Sequence, residues 1–259
     1  MLQQKGTHWV AHGRVSSWVR RDVPSWWLPA LIAATAAYTL LTLLVLAGSG
    51  ITEFDSFWYD LDLVPPTSPL HLPVELWVFL GQRVPAMIIA GLYCLYRARR
   101  TRSWTPLLMY AMAGTGFVAS VLAMKYMTGR IGPRYTDVAH TVWDGGDIFP
   151  SGHVTGTVVM YGLIALLVPL AYRKLATVAA IVLSVTVGFG TVALNTHWLS
   201  DVVGAWLNGS IVLLVVWAIT PEVQRRLVAR LRQIRAWHRA ALTAHDGVLP
   251  SAPVGEHRS

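Results

Sequence analysis

The constraint that dominates this chain is a series of six long apolar stretches, at roughly residues 27–49, 74–96, 105–127, 152–172, 175–196 and 202–219. About 20 consecutive apolar residues are what a helix needs to cross a bilayer, and lipid leaves an exposed backbone few other ways to satisfy its N–H and C=O groups. The expected fold is all-α, a polytopic membrane protein with six transmembrane helices. Composition agrees: 54% of the residues are hydrophobic and only 13% charged, against roughly 25% charged in soluble domains. The first stretch is too long for a signal-peptide core and lacks a small-residue cleavage site, so it is read as a spanning helix. Cys94 is the single cysteine and rules out an intramolecular disulfide.

Charge placement sets the expected orientation. Seventeen of the 21 basic residues fall on one side of the layout. Lys5, Arg14, Arg20 and Arg21 precede the first stretch; Arg97, Arg99, Arg100 and Arg102 lie between the second and third; Arg173 and Lys174 lie between the fourth and fifth; seven arginines follow the sixth. The positive-inside rule assigns that side, with both termini, to the cytoplasm. The chain then divides into a cytoplasmic basic N-terminal segment (1–26), a six-helix transmembrane domain (27–219), and a cytoplasmic basic juxtamembrane helix with a disordered tail (220–259). That helix, over 221–243, carries an apolar stripe of Leu227, Leu231, Ile234 and Trp237 and is expected to lie on anionic lipid. The net charge of +8 is thus a topology signal, and no motif points to a nucleic-acid partner. The other side carries Glu53, Asp55, Asp60, Asp62, Asp137, Asp144 and Asp147. Residues 50–73, rich in aromatics and prolines, read there as an interfacial segment flanking a lipid entrance or as an aromatic belt.

Three polar segments distant in sequence meet on that outer face. The first is the end of the third stretch, Lys125 to Arg134. The second is Asp147-Ile148-Phe149-Pro150-Ser151-Gly152-His153, and the third is His197-Trp198-Leu199-Ser200-Asp201, whose His lies 44 residues after His153. Polar groups are costly in such surroundings, so histidines there need a reason. Pro150 and Ser151 suit a helix start whose free N–H groups and positive dipole end would face an anion, with Gly152 allowing close approach. His197 and Asp201 are one helical turn apart, so the carboxylate can hold the imidazole in one tautomer. Taken singly, each has a plainer reading: an ordinary helix start, or a capping Asp201 beside an interfacial Trp198. Asp144, Gly145, Gly146 and Asp147 read as turn and cap residues, with a cation site as the alternative; no cluster has convincing metal-ligand spacing.

These residues resemble the type 2 phosphatidic acid phosphatase superfamily of membrane lipid phosphatases, over roughly residues 50–219. The family pattern is Lys, six residues, Arg-Pro; then Pro-Ser-Gly-His; then Ser-Arg, five residues, His, three residues, Asp. Lys125, Pro133, Pro150-Ser151-Gly152-His153, His197 and Asp201 fall in register with it. The resemblance implies a six-helix bundle, an outward-facing site and a lipid phosphate substrate, with no cofactor or metal; the compact single-domain form suggests the cell (inner) membrane of a bacterium. It implies that His197 attacks phosphorus, that Asp201 orients it, and that His153 protonates the leaving group and then activates water. Lys125, Ser151 and the Gly152 backbone would hold phosphoryl oxygens.

The pattern is broken twice. Gly132 stands where the family has the arginine before proline, and Gly190-Thr191 stand for Ser-Arg; both arginines hold phosphate oxygens in the family. A charge-assisted contact of that kind contributes roughly 1.5–3 kcal/mol. Arg134, Arg130 and Arg83 are the candidates to replace them, Arg134 first, because the Gly-Pro turn can re-aim it. Arg83, in the outer part of the second stretch beside Pro85, has an ion pair with an outer acidic residue as its alternative. The altered arginines keep two other functions in view: a phosphotransferase passing its group to an alcohol, and a non-catalytic lipid-binding relative. Product analysis separates the first from hydrolysis, and the intact histidine pair speaks against the second.

Overall fold

A computed structural model of the chain describes residues 23–246. The expected N-terminal segment lies outside these up to residue 22, and the expected disordered tail lies outside them from residue 247. The described residues form helices and connecting loops, with no β-strand among them. In chain order the helices are α1 (Trp27–Leu46), α2 (Gly50–Asp60), α3 (His71–Phe79), α4 (Arg83–Thr101), α5 (Thr105–Thr128), α6 (Gly152–Leu167), α7 (Leu170–Ala193) and α8 (Leu199–Asp246).

Proline moves several expected boundaries. The second stretch is two helices, α3 and α4, bent by 46° across residues 80–82. Pro85 has no N–H to donate to Gly81, so a single helix cannot run through this point, whereas the first turn of a new helix tolerates it. The N–H groups of Leu80, Gly81 and Gln82 instead bond to carbonyls three residues back. Likewise the fourth stretch ends at Leu167 rather than at residue 172, because Pro169 interrupts it, and Arg173 and Lys174 lie near the start of α7, not in a connection. With 16 residues, α6 spans about 24 Å, short of the roughly 30 Å of a hydrocarbon core. Among the described residues four helices are long and apolar enough to cross a membrane, or five if the bent pair counts as one.

Short α6 sits centrally, packed against α4, α5 and α7. Its Val159, Met160 and Leu163 are fully buried with Ala86, Ala90 and Cys94 of α4, Ala113 and Phe117 of α5, and nearly buried Val212 and Val216 of α8. The small residues on α4 let the helices approach closely, which is how helices gain packing where lipid competes on equal terms. Helix α2, capped by the Ser49 hydroxyl at the N–H of Ile51 (3.4 Å), exposes Phe54 and Phe57 and buries Thr52 and Asp55. Trp58 of α2 meets Phe189 of α7 at 6.2 Å.

A second compact unit begins at Pro221. Pro221 lies within α8, which continues to Asp246. Glu222 bridges Arg225 at 2.9 Å and Arg226 at 2.6 Å, the one-turn spacing of a charged helix face. Leu227 and Ile234 of the expected apolar stripe are exposed.

Candidate active site

The last turn of α5 carries Lys125, and Gly129 ends the helix in the left-handed conformation at φ +54°, its N–H bonded to the Lys125 carbonyl. The loop ahead of α6 is laced onto this terminus. Trp143 N–H bonds to the Thr128 carbonyl, Asp144 and Gly146 N–H groups to that of Gly129, and Ile148 N–H to that of Arg130. Gly146 is required here, since a Cβ on it would lie 2.2 Å from the Arg130 carbonyl oxygen. Residues 144–147 lie in this loop, and the helix cap expected among them is Ser151 instead. No group of three His, Cys, Asp or Glu suited to a metal ion occurs among the described residues. Asp147, exposed, lies 3.4 Å from the Lys125 ammonium.

Arg130 is the centre of a closed polar network. Its side chain is wholly buried, and all five N–H donors are taken. Nε and Nη2 donate to the Ala139 carbonyl at 3.1 and 2.8 Å; Nη1 donates to Ser200 Oγ and Asp201 Oδ1, both at 2.7 Å; Nη2 also donates to Asp55 Oδ2 at 2.8 Å. The planar fork of arginine suits this work, and an ammonium could not reproduce it. Asp55 in turn accepts from the Ser200 N–H at 2.8 Å and from its hydroxyl at 2.5 Å. Burial pushes the Asp55 carboxyl above the usual carboxylate range, while Arg130 pulls it back. A guanidinium so engaged has no donor left for a phosphate.

That network fixes Asp201. Its Oδ1 is held by Arg130, and its Oδ2 accepts from the Trp198 N–H at 3.0 Å, capping the start of α8. The same Oδ2 lies 3.6 Å from His197 Nδ1, longer than a formed hydrogen bond, and that nitrogen is buried without a hydrogen-bond partner. Capping and orienting are thus carried by one carboxylate. Trp198, expected at an interface, is buried instead: its indole N–H donates to the Ile131 carbonyl at 3.0 Å and Arg130 stands 5.6 Å from its ring. His197 is 6% exposed, and its backbone N–H bonds to the Thr191 carbonyl at 3.3 Å.

The second histidine comes from α6. Buried Ser151 caps this helix, its hydroxyl accepting from Val154 N–H at 3.4 Å and its carbonyl from Thr155 N–H at 3.0 Å. The N–H groups of Gly152 and His153 precede those bonds, so no turn of helix satisfies them. Ser151 N–H donates to the Asp201 carbonyl at 3.1 Å, tying the two motif helices together. The rings of His153 and His197 consequently meet edge to face, with centroids 5.9 Å apart. Burial, then His197 and the charges of Lys125, Arg134 and Arg83, hold the His153 imidazole below the usual histidine range, at about 4.

The positions of the two missing arginines are filled. A Cβ on buried Gly132 would lie 2.9 Å from the Ile148 side chain, and buried Thr191 donates its hydroxyl to the Gly188 carbonyl at 2.7 Å within its own helix. Gly132 opens a turn closed by Tyr135 N–H at 3.0 Å, with exposed Arg134 at its third position. Arg83 is the first residue of α4 and exposed, and its guanidinium stands 4.0 Å from where a Cβ on Gly152 would be. Neither arginine has an acidic partner within 4.0 Å among the described residues, so the ion pair considered for Arg83 is not formed there. Sequence reasoning missed Asp55 and Ser200. Asp55 counted only as one outer acid among several, and its one local signal was a carboxylate one turn from Thr52 on the face of α2 opposite the aromatics.

His153, at the open start of α6, thus lies against His197, which sits just ahead of α8 beside a fixed carboxylate. Residues 104–225 match the model of the PAP2 superfamily, a match to a little under half of the chain. It is 26% identical over 150 residues to phosphatidylglycerophosphatase B of Bacillus subtilis (strain 168), an alignment covering 55% of this chain and 70% of that protein. The fold resembles the crystal structure of a transmembrane PAP2-type phosphatidylglycerolphosphate phosphatase from Bacillus subtilis, with a TM-score of 0.62 at 20% identity, over 72% of this chain and 93% of that one. Among the described residues four helices have the length and apolar composition of membrane spans, in keeping with the fold of that transmembrane relative.

Proposed function

We propose that the protein hydrolyses a lipid phosphate or diphosphate at the outer membrane face, without a metal, through a phosphohistidine on His197. The observation that carries this is the meeting of His153 and His197 at 5.9 Å, with Asp201 3.6 Å from His197 Nδ1. A carboxylate on Nδ1 leaves Nε2 as the nucleophile. Nε2 attacks phosphorus, the bond to the lipid oxygen breaks, and His153 gives its proton to that leaving oxygen. His153 then takes a proton from water, the water oxygen attacks phosphorus, the N–P bond breaks, and phosphate departs. Lys125 and the N–H groups at the start of α6 hold the phosphoryl oxygens, where preorganised positive charge does most of the work in phosphoryl transfer. Arg130 is a positioning residue, setting Asp201 from behind.

Polyprenyl diphosphate, phosphatidic acid and phosphatidylglycerophosphate all fit this chemistry, and the name of the Bacillus relative favours the last. In this reading the membrane domain carries the chemistry, both termini are cytoplasmic, and the basic segment beyond residue 220 rests on anionic lipid. The test is phosphate release by the purified full-length chain from these three lipids in excess EDTA. Release is expected from at least one, and intact cells should release it from a water-soluble analogue that cannot cross the membrane. Formation of a phosphodiester with an added alcohol, without free phosphate, would establish the phosphotransferase instead. Turnover seen only after Mg²⁺ is restored would refute the metal-independent route.

A further inference from the structure

We infer that Arg83 and Arg134, both outside the family's motifs, form the phosphate clamp that replaces the two absent motif arginines; the inference rests on the lipid-phosphate reading of this site. The phosphoryl group brings three oxygens and about two negative charges, and charge-assisted arginine contacts are the strong way to hold them. The motif positions cannot supply these, because Ile148 occupies the space in front of Gly132 and Thr191 turns its hydroxyl back into α7. Arg130 cannot either, with every donor committed to Ala139, Ser200, Asp201 and Asp55.

Arg83 reaches the site because the α3–α4 break is docked there. Gly81, at the bend, lies so close to α6 that a Cβ on it would be 3.1 Å from the His153 carbonyl and 2.7 Å from Thr157 Oγ1. Tyr161 of α6 fastens the preceding residue, its hydroxyl donating to the Leu80 carbonyl at 2.9 Å. Helix α4 therefore starts beside the first turn of α6, with Arg83 as its first residue and its guanidinium next to Gly152. Arg134 approaches from the loop after α5, at the turn that Gly132 and Pro133 begin. Both charges bear on His153 together with that of Lys125, so positive charge reaches this imidazole from three elements. Of the three residues, Lys125 has Asp147 at 3.4 Å, whereas exposed Arg83 and Arg134 have no acidic partner within 4.0 Å among the described residues, which favours an incoming anion over a structural network.

The test uses full-length protein in detergent, with inorganic phosphate as the probe alongside lipid-phosphate turnover. Arg83→Ala and Arg134→Ala should each weaken phosphate binding and lower kcat/KM by roughly 10–150-fold, with the melting temperature unchanged. Guanidinium ion in the buffer should restore part of the loss, and Arg83→Lys should recover only part of it, lacking the fork. A change below threefold in both readouts for either residue removes that residue from the clamp. If wild-type protein binds phosphate in an arginine-dependent way yet hydrolyses no lipid phosphate, the clamp stands and the catalytic reading falls. If wild type hydrolyses and both variants match it, the clamp falls alone.

Discussion

Arg130 and Arg83 are the same side chain in two regions of one site, and they do opposite things. Around Arg130 the protein supplies two carboxylates, a hydroxyl and a carbonyl, and leaves no part of the guanidinium exposed. Around Arg83 and Arg134 it supplies further positive charge and open access. A buried, saturated arginine fixes geometry, because removing it strands its partners' charges. An exposed one facing other cations gains most from an incoming anion. The difference lies in hydrogen-bond saturation, not in residue type or nearness to the histidines.

His197, which touches the closed region through Asp201 and the open one through His153, gives the largest expected effect. His197→Ala should lower kcat by roughly 10⁴-fold or more while the melting temperature stays near wild type. Residual turnover above about a hundredth of wild type would contradict its role as nucleophile. Next is the closed network itself. Arg130→Leu leaves Asp55 and Asp201 buried without their counter-charge and should cost about 3–5 kcal/mol of stability, read as a drop in detergent melting temperature and folded yield. Arg130→Lys should restore little of it, since one ammonium cannot reach both carboxylates and the Ala139 carbonyl. A stable Arg130→Leu protein with weakened phosphate binding would erase the distinction between the two regions. The smallest effect is expected at the edge of the open region. Asp147, largely solvent-exposed, competes with phosphate for Lys125 at 3.4 Å. Asp147→Asn should tighten phosphate binding by no more than about fivefold, the range of an exposed ion pair; a weakening would mean that Asp147 helps to place Lys125.

Much of the candidate site was legible in the sequence. The Pro-Ser-Gly-His segment does begin a helix capped by Ser151, and His197 does face Asp201 one turn later. The bundle was less legible, because apolar length alone does not reveal a helix broken at Gly81 or one cut short at Pro169; both prolines were visible but their weight was not. Arg134 could be proposed from its turn, whereas Arg83 was ranked behind it as a residue that had to reach across from another helix. The broken helix brings it to Gly152 directly. Trp198 looked interfacial because tryptophan so often is, yet its ring fills the space between Arg130 and Tyr59.

What the sequence by itself determined is therefore local or periodic: helices from apolar runs, a helix start from Pro-Ser-Gly, and an imidazole–carboxylate pair from a spacing of four. The rise and turn of a helix fix such relations whatever surrounds them. Only the tertiary structure decided which arginine is spent and which is available. Arg130 is satisfied by Asp55, 75 residues earlier, and by Ser200 and Asp201, 70 and 71 residues later. Whether a donor is saturated depends on every group brought within about 3 Å of it, and no spacing along the chain encodes that.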